Sequence, residues 1–339
     1  MNEILQLLAQ NPAVKACGQG QPRLSCSSLV EEAVVIAASM IQSARPMIII
    51  KNNLYQAQQL TEKLRLLLPE QPVTLFAAEE ALRVEAIAAS PESTAAMIEA
   101  LNTLLKEKNP ICVTHVGAVV RFLPSPAMFR QRTLRLAAGM QVSIQQLTKA
   151  LQQAGYQKTA RVDQPLCFAS RGGIVDVYSI HSDNPVRIEF FDEEIDNIRI
   201  FDLATQRTIR MIESTEIIPA SLMLLDEEQL DQITARVQAQ LQKELPRCSK
   251  SEQDQLCDQI QMDLETLQAH LRQERLYPYL AYLDDNSSLL DYCPDAQIVL
   301  SQKDACQTHL HQLMEETVAY LQEMSQERKM LPKFSVFHS

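Results

Sequence analysis

Phe168-Ala169-Ser170-Arg171-Gly172-Gly173-Ile174-Val175-Asp176-Val177-Tyr178, followed from Pro185 by Val186-Arg187-Ile188-Glu189-Phe190-Phe191-Asp192-Glu193-Glu194-Ile195-Asp196, decides how this 339-residue chain is read. Successive side chains on a strand point to opposite faces. Ile174, Asp176 and Tyr178 would therefore share one face and Val175 and Val177 the other. Arg187 to Phe191 alternates again, Asp192 to Asp196 reads as a polar turn, and Ile198 and Ile200 answer on a return strand, which predicts a hairpin. Just upstream, Ser143 with Gln146 spells a capping box for a short helix carrying Ile144, Leu147 and Leu151, with Gly155 where a C-cap glycine belongs. This block reads as a small α+β unit.

On its amino-terminal side the pattern alternates between helix and strand, as a doubly wound α/β layer requires. Glu31 to Ser43 is apolar at helical spacing, and Pro46-Met47-Ile48-Ile49-Ile50 is a continuous apolar run suited to a parallel strand buried on both faces. A helix from Tyr55 to Leu68, a strand from Val73 to Phe76 and a strand from Ile111 to Val116 are expected. Between the last two, Ser90-Pro91-Glu92 reads as a helix start, turning Met97, Ile98, Leu101 and Leu105 inward.

Beyond Pro219 the pattern is mostly helical. Leu256, Ile260, Leu264, Leu267 and Leu271 form one apolar stripe, and Leu310, Leu313, Val318 and Leu321 another. Between them Ala296-Gln297-Ile298-Val299-Leu300 predicts a buried strand that rejoins the first layer, which makes the middle block an insertion. The expected domains are an α/β domain over 1–128, the α+β domain over 129–218 and a helical region with one added strand over 219–339.

Composition excludes several classes. With 46% hydrophobic and 22% charged residues disorder is not the default, and no run of about 18 apolar residues offers a membrane span. The opening MNEILQLLAQNPAVK lacks the order of a signal peptide, so a cytoplasmic protein is expected. Eight scattered cysteines without a C-x-x-C pair read as free, mostly packed thiols, and no metal is expected. His309 and His311, two apart, would point to different sides of a helix and cannot share a metal, so solvated surface histidines are the expectation. No G-x-x-x-x-G-K-[ST] run cradles a phosphate.

Of the net charge of −11, nearly all sits in residues 221–339. Residues 116–161 instead carry seven bases (Arg121, Arg130, Arg132, Arg135, Lys149, Lys158 and Arg161) and no acid, which motivates a competing reading as a nucleic-acid-binding or weak helicase-like domain. Asp176, Glu189 and the Asp192-Glu193-Glu194 run are the carboxylates available for acid–base chemistry, but a solvated hairpin suits the run better. If Ile188 and Phe190 are buried, Phe191 is forced outward beside Arg187 and Glu189, and an exposed aromatic among charges has the composition of a binding hot spot.

The paired motif of Phe168–Tyr178 and Pro185–Asp196, with Gln206-Arg207-Thr208, closely resembles the UvrA-binding domain shared by the repair helicase UvrB and the transcription-repair coupling factors (Mfd). The likeness extends to Asn52-Asn53-Leu54-Tyr55-Gln56-Ala57-Gln58, Ala89-Ser90-Pro91-Glu92 and Ser288-Leu289-Leu290-Asp291-Tyr292, so the chain is similar to the amino-terminal UvrB-homology module of that family. The resemblance implies a degenerate P-loop helicase-like parallel-sheet fold (domains 1a and 1b) with an inserted domain 2 that docks UvrA. It also implies a non-catalytic module without cofactor, with Arg171, Arg187 and Phe191 as the UvrA-contacting residues. RNA polymerase and DNA would be engaged only by other regions of the family's full-length proteins. The departures concern nucleotide chemistry: Gly18-Gln19-Gly20-Gln21-Pro22-Arg23-Leu24-Ser25 lacks a phosphate-binding lysine, and Val299-Leu300-Ser301-Gln302 lacks the Asp-Glu pair for magnesium. Met97 stands where relatives often carry arginine.

Overall fold

The computed structural model describes residues 2–19, 24–78, 91–270, 274–333 and 337. The isoleucine run forms β1 (Met47–Lys51), buried at all five residues. It lies beside β3 (Ile111–His115), which lies beside β2 (Val73–Phe76), and on its other flank pairs with β12 (Gln297–Leu300), giving a parallel sheet of order β12-β1-β3-β2. Met47, Ile49, Ile111 and Val113 pack against Ile36, Leu60 and Leu64 of helices Leu29–Ser43 and Leu54–Leu67. Ile48, Ile50 and Cys112 pack on the opposite side with Met97, Ile98 and Leu101 of helix Pro91–Lys106 and Cys306 of helix Lys303–Gln326. Coverage of both faces is what a continuous apolar strand needs.

The helix expected from Ser90 runs from Pro91, and Ala89 and Ser90 lie outside the described residues. Leu104 is buried more deeply than Leu105, because 97, 101 and 104 keep helical spacing on the core face. The strand expected to be buried at 296–300 is the sheet edge: Ile298 and Leu300 are nearly half exposed, because β12 has a neighbouring strand on one flank only.

The middle block enters through β4 (Leu134–Ala137) and leaves through β11 (Ser214–Ile217), which pair antiparallel. Between them a six-stranded sheet has the order β10-β9-β8-β7-β6-β5: β5 (Gln157–Lys158), β6 (Cys167–Arg171), β7 (Ile174–Val177), β8 (Val186–Phe191), β9 (Glu194–Phe201) and β10 (Thr208–Ile212). Leu147 and Leu151 of helix Ile144–Gln153 pack on its inner face with Phe168, Val175, Val177, Ile188, Ile195 and Ile198. Both bonds of the Ser143–Gln146 capping box form.

Gly155, just past that helix, adopts φ +88°, and a Cβ there would stand 2.4 Å from Cβ of Ser221. Alanine must therefore accept a left-handed backbone and push Ser221 away from a segment held by the Ala220 N–H donating to the Ala154 carbonyl. Gly155→Ala should lower unfolding stability by about 2 kcal/mol, read as a lower midpoint in urea at an unchanged slope. The polar turn is tighter than the sequence predicts. Phe191 already pairs with Glu194, Asp192 takes φ +57°, and Asp196 becomes the extra residue of a bulge in β9.

In the last region, helices Glu227–Glu244 and Lys250–Gln268 each begin with a capping box, and Leu256, Ile260, Leu264 and Leu267 pack against Leu230, Ile233, Val237 and Tyr277, Tyr279 and Tyr282. Leu271 lies outside the described residues. Leu313 and Leu321 of the second stripe are buried, and Leu310 and Val318 are half-buried. Among the described residues, no helix is long and apolar enough to cross a membrane.

Candidate docking surface

The register of the six-stranded sheet decides which side chains share its outer face. Ala169 pairs with Asp176, Asp176 with Arg187, Arg187 with Arg199 and Arg199 with Met211. One step along, Arg171 pairs with Ile174, Ile174 with Glu189 and Glu189 with Asn197. Paired residues point to the same side, so Arg171, Arg187 and Phe191 come together on the face opposite the buried Val175, Val177 and Ile188.

The three differ in how free they are. Arg171 precedes Gly172, a turn residue at φ +58°, and is exposed, with no ion pair among the described residues. Arg187 is held within the domain: Nε donates to Asp176 Oδ1 at 2.6 Å and Nη2 to Asp176 Oδ2 at 2.7 Å and Gln206 Oε1 at 3.1 Å. Its guanidinium also lies 4.5 Å from the centre of the Phe201 ring. The hydrogen bonds to Asp176 outweigh burial and raise the Arg187 pKa above its usual value. Glu189 is likewise occupied by Arg199 and by Asn197 Nδ2 at 2.8 Å. Neither Asp176 nor Glu189 is a free carboxylate for acid–base work. Phe191, at the end of β8, is 78% exposed. The face is therefore a strip of self-paired charges with a bare aromatic at one end.

β10 adds two apolar side chains that the sequence pattern does not announce. Ile209 and Met211 are 52% and 57% exposed. The signal was the apolar spacing in Thr208-Ile209-Arg210-Met211-Ile212, masked by a bulge between Thr208 and Arg210.

The seven bases of 116–161 do not form one surface. Arg121 is buried, 4.4 Å over the Tyr277 ring, and Arg132 donates to Gln153 Oε1 and the Leu225 carbonyl. Arg135 joins Lys106 on Glu216, tying helix Pro91–Lys106 to β4 and β11. Burial opposes ionisation of Glu216, but the hydrogen bonds from Lys106 and Arg135 prevail and hold its pKa below the usual carboxylate range. A carboxyl with a lowered folded-state pKa contributes stability above its unfolded value, about 4.3, and loses it as pH falls through the folded value. Glu216→Gln should accordingly lower stability at pH 7, and its deficit in urea melts should shrink as the pH is taken down through the lowered folded-state value.

The remaining candidates are structural. His311 is exposed beside Glu315, 3.2 Å away, but His115 is fully buried at the end of the central strand β3, with Nε2 2.8 Å from the Ala78 carbonyl. Among the described residues no three His, Cys, Asp or Glu side chains gather as a metal site. All eight cysteines are free, four of them buried, and burial pushes the Cys112 thiol up to about 12. Met97 is 3% exposed and belongs to the core.

At the carboxyl ends of β1 and β12, where open parallel sheets bind ligands, three polar side chains are paired with one another. Lys51 is buried, with Nζ 2.7 Å from both Glu32 Oε2 and Ser301 Oγ, and Ser301 Oγ donates to Glu32 Oε1 at 2.7 Å. Glu32 comes from the first turn of helix Leu29–Ser43. Residues 20–23 of the Gly18–Ser25 stretch lie outside the described residues.

The middle block is thus a compact α+β unit inserted between a parallel sheet and its returning strand, with a polar face and a projecting aromatic. Residues 134–223 match the family described as UvrB interaction domain. The chain is 32% identical over 301 residues to a transcription-repair-coupling factor of Bacillus subtilis (strain 168), covering 88% of this chain and 26% of that protein. It is 28% identical over 239 residues to that of Staphylococcus aureus (strain bovine RF122 / ET3-1), covering 70% and 20% respectively. The chain spans a fifth to about a quarter of the length of these relatives. It belongs to the transcription-repair-coupling factor (Mfd) family, as its amino-terminal module carrying the UvrB interaction domain.

Proposed function

We propose that this chain is a non-catalytic module that recruits UvrA for transcription-coupled repair by docking it on the outer face of the six-stranded sheet. The observation that carries the reading is Phe191, largely exposed on a strand whose opposite face is core, inside the matched domain. Large exposed aromatics beside arginine are where binding energy concentrates. Arg171 supplies a free guanidinium for an acidic group on UvrA, and its truncation should cost about 1–3 kcal/mol of binding. Arg187, already paired with Asp176, presents an ordered surface to the partner and makes any contact by sharing or exchanging that pair.

The absence of catalysis and the degenerate P-loop helicase-like ancestry of the parallel sheet belong to the same proposal. They are supported by the strand order and by the Lys51–Glu32–Ser301 cluster, in which the lysine at the carboxyl end of β1 is already paired within the chain. The dispersal of the basic stretch speaks against the nucleic-acid reading. A pull-down on immobilised UvrA, run with Arg171→Ala, Arg187→Ala and Phe191→Ala variants, tests the assignment. Retention of all three at wild-type yield would overturn it. A low-salt filter-binding series is expected to retain no DNA; retention that collapses with added salt would favour the competing reading.

A further inference from the structure

We propose that the docking surface continues across the sheet to β10, with Met211, assisted by Ile209, as a second apolar anchor for the UvrA surface that covers Phe191; this rests on the docking reading above. Met211 lies opposite Arg199, which lies opposite Arg187, so all three share the outer face with Phe191. The ground between the two apolar ends is neutralised internally by Arg187–Asp176 and Arg199–Glu189. A partner lying over it need supply no countercharge there, and gains from covering the apolar side chains at either end.

Geometry permits one partner to reach both. Met211 is two strands from β8 and four residues along from Phe191, a separation of about 17 Å at ordinary strand spacing and rise. A standard interface covers about 800 Å² per partner, roughly 30 Å across, so both side chains fit beneath one footprint. Arg207, exposed just before β10 and without an ion pair among the described residues, defines the complement: an apolar recess with a carboxylate at its rim. β10 is also the sheet edge, exposed from Thr208 to Met211, so nothing within the domain hinders the approach.

The test is surface plasmon resonance of the full chain over immobilised UvrA. The variants are a Met211→Ala, Ile209→Ala pair, a Met211→Lys single, Phe191→Ala, and Leu66→Ala as an exposed control on helix Leu54–Leu67. The pair and Met211→Lys are each expected to weaken binding about tenfold, Phe191→Ala more, and Leu66→Ala not at all, with thermal melts unchanged throughout. If Phe191→Ala loses binding while the folded Met211 and Ile209 variants keep wild-type affinity, the extension to β10 is wrong and the docking reading stands. If the wild-type chain does not bind UvrA, both fall together.

Discussion

Replacing Glu32 by alanine is expected to remove about 3 kcal/mol or more of folding stability, because it strands a lysine that has no access to water. Lys51 is 1% exposed, and among the described residues its ammonium has Glu32 and Ser301 Oγ in hydrogen-bonding range. Removing one partner of a buried ion pair leaves an uncompensated charge and typically costs 3–5 kcal/mol, roughly, whereas replacing both partners by apolar groups is often neutral. A Glu32→Leu, Lys51→Met double variant should therefore recover most of the loss. Urea melts of the three proteins decide the point; a Glu32→Ala midpoint equal to wild type would mean the cluster is solvated.

Phe191→Ala is expected to weaken UvrA binding by at least about 2 kcal/mol, roughly thirtyfold, without altering stability. The side chain is exposed at the end of β8, where truncation of a residue outside the core shifts stability by no more than about 0.5 kcal/mol. Everything that Phe191 contributes is thus available to a partner. A melting temperature that drops with Phe191→Ala would place the ring in the fold's own packing and remove the main argument for docking.

Much of this was legible in the residues. The apolar run at 47–50 can be satisfied only by coverage on both faces, and the alternation from Arg187 to Phe191 sends the aromatic outward once Ile188 is buried. The partner of Arg187 was not legible. Glu189 or Asp192 are closest along the chain, but the carboxylate that holds it is Asp176, set by the antiparallel register of β7 against β8. Nor was the fate of Lys51. A lysine closing a strand reads as a solvated end, but Glu32 of helix Leu29–Ser43 and Ser301, which follows β12 and lies 250 residues along the chain, enclose its ammonium. The exposure of β12 escaped for the converse reason, since an apolar pentapeptide looks the same at the centre of a sheet as at its edge.

A calorimetric titration of the chain with purified UvrA, repeated with the Arg171→Ala, Phe191→Ala double variant, tests the central claim most directly. Saturable binding at micromolar affinity or tighter, abolished in the folded double variant, is the predicted result. No heat of binding from the wild-type chain, or an equal dissociation constant for the double variant, would contradict it.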